Sequence, residues 1–183
     1  MDILTHALMG AVLCSRTGLA GGRRGPTPGR DGRPRMIDWT FGAALFFGIF
    51  PDLASIGLHL AHHVIRHGHM GWHAVPPYIF TLYNLTHSVL IAGLCVLAAA
   101  LWRRPLALAM LAWPLHIVTD MLTHGPGRFA TPVFFPLSDY RFNGVNWWQT
   151  PWLARWPALV LASLCVCLLA GRYIQARRRQ VPA

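Results

Sequence analysis

The sequence predicts an all-α integral membrane protein: a bundle of about four spanning helices plus a short N-terminal helix, in one domain of 183 residues. Three observations predict it. Hydrophobic residues make up 54% of the chain and charged residues only 12%, and the mean hydropathy is +0.40. That is too apolar for an ordinary water-soluble surface. The formal charge is +10 and the pI near 11. All the basic residues are Arg and all the acids are Asp, yet the arginines gather between long apolar runs instead of covering one nucleic-acid-binding face. Finally, several Asp and His residues lie inside or at the edges of the apolar runs, where they are costly unless paired or metal-bound.

Residues 3–15 read as a short apolar helix. It rises roughly 20 Å against a hydrocarbon core of ~30 Å, so it is a half-span or packs into the bundle. The basic n-region of a cleaved signal peptide is missing, and Asp2 is expected to remain in the mature chain. Residues 16–36, rich in Gly, Pro and Arg, read as a flexible solvated linker. The second segment spans 38–63, with Asp38 as N-cap and a kink or break expected at Pro51. A loop at 64–77 carries His67, His69 and His73. Residues 78–102 read as one crossing, Arg103 and Arg104 begin a tight turn, and 105–124 form the fourth segment. After an aromatic loop at 125–151, residues 152–174 form the last span, and 175–183 a basic tail.

Cys14, Cys95, Cys165 and Cys167 all sit in apolar runs and read as small hydrophobes, not a disulfide framework. The arginine-rich linker, Arg103-Arg104 and the basic tail fall on one side if the four long segments alternate. That side is expected to be the cytoplasm. The 64–77 and 125–151 loops then face outward, as does Met1.

Within the fourth segment, W-P-L-H-I-V-T-D-M-L-T-H-G at 113–125 places His116, Asp120 and His124 at i, i+4 and i+8, on one helical face. Imidazole nitrogen and carboxylate oxygen are the donors that zinc and similar ions take. The alternative is a polar seam between packed helices. Asp2 and His6 are likewise four apart, though Asp2 also suits an N-cap. Asp52 follows Pro51 and could cap a restarting helix. His87 lies in T-H-S, and alone would be an interhelical histidine. At ~1.5 Å per residue, His87 lies roughly 13 Å and Asp52 about 16 Å below the outer ends of their segments. His116 to His124 covers the outer ~12 Å of theirs. All these groups can therefore meet in the outer half of one bundle. His59, His62 and His63 share a helical face and read as membrane-edge residues or added ligands.

In chain order, D-x-x-T-H at 2–6, P-D at 51–52, T-H-S at 86–88, H-x-x-x-D at 116–120, T-H-G at 123–125 and F-F-P-L-S at 134–138 resemble the YdjM-like family of predicted membrane-bound metal-dependent hydrolases. The resemblance covers residues 1–142. That family is in turn distantly similar to zinc-dependent phospholipase C and the single-strand zinc nucleases, soluble and mostly helical enzymes.

The resemblance implies a centre of two Zn2+ ions in the outer half of a bacterial inner-membrane protein. Asp52, His87, His116 and Asp120 would hold one ion. Asp2, His6 and a bridging Asp120 would hold the other, with Asp2 replacing the free N-terminal amine of the soluble relatives. Asp120 and Asp52 would be the catalytic carboxylates. Those relatives carry a later His-x-x-x-Asp/Glu pair for a third ion. None follows His124 here, which leaves His124 to serve the cluster, a substrate phosphate or neither.

The implied activity is metal-dependent hydrolysis of a phosphoester or phosphodiester in a lipid or lipid-linked substrate. Arg128 and Arg141 of the outer loop either grip its phosphate or are simply exposed charges. No specific nucleic-acid partner is expected. A metal or proton transporter is the alternative. Against it, no internal repeat is visible and the polar groups crowd one end. A third reading is a non-catalytic membrane protein with a structural metal.

Overall fold

The computed structural model describes residues 1–22, 27–28, 34–71 and 75–180. Arg23, Arg24, Arg30 and Arg33 of the expected linker, His73 and the last three residues lie outside them. The regular structure of the described residues is helical, apart from a two-residue antiparallel pairing of Thr27–Pro28 with Pro34–Arg35 and a single bridge between Thr131 and Phe142. Its helices are α1 (Ile3–Leu13), α2 (Trp39–Asp52), α3 (Leu58–His67), α4 (Pro77–Thr86), α5 (Val89–Trp102), α6 (Arg104–Met110), α7 (Ala112–Thr123) and α8 (Pro151–Gln180). By length and composition, three continuous stretches suit a membrane crossing: Trp39–His67, Arg104–Thr123 and Pro151–Arg178. The bent pair α4 and α5 makes a fourth.

Side-chain oxygens start several of these helices. Asp2 accepts from Thr5 N–H at 2.9 Å and caps α1. Asp38 accepts from the backbone and hydroxyl of Thr40 at 2.9 and 2.7 Å and caps α2, as expected from the sequence. Pro77 opens α4 at a position where its missing N–H costs nothing. Gly68, at φ +73°, ends α3 in the left-handed conformation.

Three breaks differ from the sequence reading. The kink or break expected at Pro51 takes the form of an irregular turn just after it, not a full interruption. The chain passes through one π-helical turn, Leu53–Gly57, directly into α3. The carbonyl of Pro51 accepts hydrogen bonds from Ser55 Oγ at 2.7 Å and Thr86 Oγ1 at 3.2 Å. Conversely, the stretch 78–102 is not one straight span: α4 and α5 meet at 53° across His87 and Ser88. Ser88 Oγ donates to the Phe135 carbonyl at 2.5 Å, and Val89 N–H to the Val133 carbonyl at 3.0 Å. A loop nearly fifty residues away in sequence thus holds the break open. The third break is at Leu111, where Pro114 lacks the N–H that would bond the Met110 carbonyl, and α6 gives way to α7.

Two loop expectations also change. Residues 16–22 are partly packed: Thr17, Gly18 and Gly21 are buried, while Leu19, Ala20 and Gly22 are exposed. Thr17 Oγ1 accepts from Asp38 N–H at 2.8 Å, and Gly18 and Gly21 lie so close to the backbone of Val12 and Arg16 that a Cβ would clash. The expected tail is helical through Gln180. Of the four free cysteines only Cys14 is buried, and burial pushes its thiol up to about 11.

Small residues line the tightest helix contacts of the core. Ala44, Ala92, Ala109 and Ala112 are fully buried, and helix backbones approach closely over them, as membrane interfaces favour. Gly10 lies against the Ala44 carbonyl and Gly48 against the His6 carbonyl, both too near to admit a Cβ. Trp113 packs edge-on to Phe50 with ring centroids 4.9 Å apart and donates its indole N–H to Thr86 O at 2.7 Å. The larger apolar side chains, among them Leu94, Leu97, Leu101 and Val166, face outward, an arrangement suited to lipid and not to water.

Candidate metal centre

Four ligand atoms from three helical stretches converge. Asp52, at the end of α2, His87, in the break between α4 and α5, and His116 and Asp120, one turn apart on α7, place one donor atom each within 4.8 Å of one another. His116 Nε2 is 3.2 Å from Asp120 Oδ2 and 3.8 Å from Asp52 Oδ1. His87 Nε2 is 3.6 Å from each of those oxygens. The two histidines and Asp120 are fully buried, whereas the Asp52 side chain keeps 20% of its surface exposed.

The orientation of the two imidazoles is fixed from behind. His116 Nδ1 lies 2.7 Å from the Gly48 carbonyl and His87 Nδ1 3.1 Å from the Tyr83 carbonyl. A carbonyl only accepts, so both Nδ1 atoms carry the proton. In the neutral rings both Nε2 atoms then present lone pairs, and they face each other at 3.3 Å. Two nitrogen lone pairs and two carboxylates aimed at one buried point repel unless positive charge lies among them. A divalent cation meets that need, and the N2O2 donor set suits zinc and other borderline ions. The residues present therefore fit a metal ion.

Asp120 has a second environment. Its Oδ2 faces His87 and His116, and its Oδ1 is 2.8 Å from His6 Nε2, 3.2 Å from His124 Nδ1 and 2.7 Å from the Met1 amine. His6 stacks on His116 with ring centroids 3.8 Å apart, and its Nδ1 is buried without a hydrogen-bond partner. His124 lies just past the end of α7 in extended backbone, so the i+8 continuation of the stripe does not hold. Its Nδ1 approaches Asp120 without hydrogen-bonding geometry.

The other sequence candidates lie elsewhere. Asp2 lines the pocket described next but is not among the four converging donors; both its oxygens are turned to Thr5, Oδ2 accepting from the hydroxyl at 2.5 Å. Asp2→Ala is accordingly expected to cost about 0.5–2 kcal/mol as a lost helix cap, with bound metal per chain unchanged by elemental analysis. Arg141 donates to the Ala130 carbonyl and to Asn84 Oδ1, both at 2.9 Å, and braces the loop. The Arg128 guanidinium stands over the Phe80 ring at 5.7 Å. Neither arginine lines the pocket described next. His59 is buried yet outside the cluster, and His62 is exposed.

A pocket of about 460 Å³ opens beside the centre. Asp52 and His124 reach it, and Leu53, Ile56, Leu60 and Trp148 give it an apolar wall. Trp148 stands 6.1 Å from the His124 ring.

Sequence reasoning missed the groups that orient the ligands. Tyr83 stacks on His87 with centroids 3.8 Å apart and anchors its own hydroxyl on the Phe129 carbonyl at 2.6 Å. Its position four residues before His87 was a usable signal. The role of the Gly48 carbonyl left no trace in residue type. No known protein family, curated protein or solved structure matches this chain.

Proposed function

We propose that this protein is a membrane-bound metal-dependent hydrolase acting on a phosphoester or phosphodiester bond of a lipid or lipid-linked substrate. The observation that carries the reading is the convergence of Asp52, His87, His116 and Asp120 at the edge of an apolar pocket. Asp52, His87, His116 and Asp120 would hold one ion, and His6 with Asp120 would hold a second. Zinc is the expected metal. When bound, such ions supply Lewis acidity that makes water a nucleophile near neutral pH and draws charge from a phosphoryl oxygen.

The protein's own groups do the rest. Asp52, the ligand most open to the pocket, accepts a hydrogen bond from water entering there and orients it. His124 lies on the pocket wall, where it donates to a phosphate oxygen. Leu53, Ile56 and Leu60 exclude bulk water and receive an apolar chain. The resemblance noted in the sequence supports the same reaction class.

Detergent-purified protein, stripped of metal and reloaded with Zn2+, is expected to hydrolyse bis(p-nitrophenyl) phosphate or a fluorogenic phospholipid, and a chelator to abolish this. Metal binding without hydrolysis of either substrate, together with metal uptake by reconstituted vesicles, would sink the hydrolase reading in favour of a transporter.

The site is expected to face the periplasmic side of a bacterial inner membrane. In a background lacking the four native cysteines, single cysteines at Gly32 and Asp139 should label from opposite sides, Asp139→Cys from the outside. Labelling of both by an impermeant reagent added outside would overturn this orientation.

A further inference from the structure

A second group of histidines lies away from the central cluster, at the end of α3. His59, His63 and His67 are spaced i, i+4 and i+8 on one face of that helix. Gly68 then reverses the chain and brings His69 back over the last turn. The His63 ring centroid is 4.5 Å from that of His67 and 5.2 Å from that of His69, and the His67 and His69 rings are 6.2 Å apart. We propose that His63, His67 and His69 form a second transition-metal site, separate from the central one and built of imidazole alone.

Two of the three rings are already set in the ligating tautomer. His63 Nδ1 lies 2.9 Å from the His69 carbonyl and His69 Nδ1 3.1 Å from the Met70 carbonyl. Both Nδ1 atoms therefore donate their protons, and both Nε2 lone pairs are left for an ion. An Nδ1–H held by a backbone carbonyl is the usual support behind a metal-bound histidine. The turn that follows closes over the ring. A Cβ on Gly71 would come within 2.6 Å of His63 Cε1 and 2.9 Å of Nε2. The three rings are not gathered as tightly as the central donors, but His67 is exposed, and rotation about its side-chain bonds brings a nitrogen toward an ion held by the Nε2 atoms of His63 and His69.

One turn inward, His59 supplies an independent sign of a ligand on this face. Its side chain is 3% exposed and neither ring nitrogen has a hydrogen-bond partner, while its centroid is 6.0 Å from that of His63. A buried imidazole with two unpaired nitrogens is uncommon, and an ion entering from the His63 side would satisfy one of them. The set contains no carboxylate. It therefore selects Zn2+, Co2+, Ni2+ or Cu2+ over Mg2+ and Ca2+, which need oxygen donors. Being partly solvated, it binds more weakly than the buried central site.

The test is a Zn2+ titration of untagged, metal-stripped full chain in detergent, followed by calorimetry. Wild type is expected to show two classes of site. The double variant His63→Ala/His67→Ala should lose the weaker class and keep the tighter one. Asp120→Asn should do the reverse. Gly71→Ala, which removes no ligand, should weaken the second class by about tenfold or more. If the central cluster binds no metal, wild type shows a single class, and its loss in the double histidine variant still supports the proposal. Equal stoichiometry in wild type and the double histidine variant overturns it, as does Asp120→Asn protein that binds no Zn2+ at all.

Discussion

Asp120→Asn is expected to leave a folded bundle that has lost its central metal and its hydrolytic activity. The carboxylate divides its two oxygens between the His87–His116 side and the His6–His124 side. An amide offers one oxygen and one NH2 group, and the NH2 group repels a cation. It also donates well to the Nε2 lone pairs of the neighbouring imidazoles, so the variant replaces a metal centre with a satisfied polar seam. The apolar spans are untouched, and folding should survive. We expect loss of at least one equivalent of metal per chain and a fall in phosphodiesterase activity by orders of magnitude. His124→Gln should be milder, because His124 lies past the helix end and touches only one oxygen of Asp120. Full metal and full activity in Asp120→Asn would remove the bridging role.

Gly48→Ala should be strongly destabilising. Its Cβ would land on the His6 carbonyl, a backbone atom that moves only if α1 retreats from α2. Such overpacking costs typically 1–3 kcal/mol, and more where no side chain can yield. The same residue's carbonyl orients His116, so the shift reaches the centre, and metal affinity should fall about 10–100-fold, as for loss of an outer partner. Gly93→Ala is the matched control: nothing lies within 4 Å of its Cβ position, and removing a helical glycine should stabilise by about 0.5–1 kcal/mol. Unfolding of both variants alongside wild type measures the difference. Equal stability of the two would show that the α1–α2 contact has slack.

What could be read from the chain alone follows from which interactions are local. His116 and Asp120 were legible because the helical repeat fixes their shared face. Counting rise per residue was enough to bring Asp52 and His87 to the same depth. The roles that could not be read depend on partners remote in sequence. The π-helical turn after Pro51 has no signature in residue type, and the Thr86 hydroxyl that bonds the Pro51 carbonyl lies 35 residues on. The run 78–102 reads as one apolar span because the carbonyls that hold it bent at Ser88 and Val89 belong to Val133 and Phe135. Asp2 and His6 had the spacing of a ligand pair, and also that of a helix cap followed by its first turn. Spacing does not separate these, and the capping bonds to Thr5 are what the carboxylate makes.

The four converging donors end at residue 120, while α8, the longest helix, starts at Pro151 and supplies none of them. It packs on α1, and Arg172 ties it to the Met36 carbonyl at 2.8 Å. During vectorial synthesis the ligands are therefore all inserted before the last span emerges. The centre can gather its charge while α1 is still open on that flank, and α8 arrives afterward as a buttress. A chain stalled before Pro151 would carry the complete ligand set.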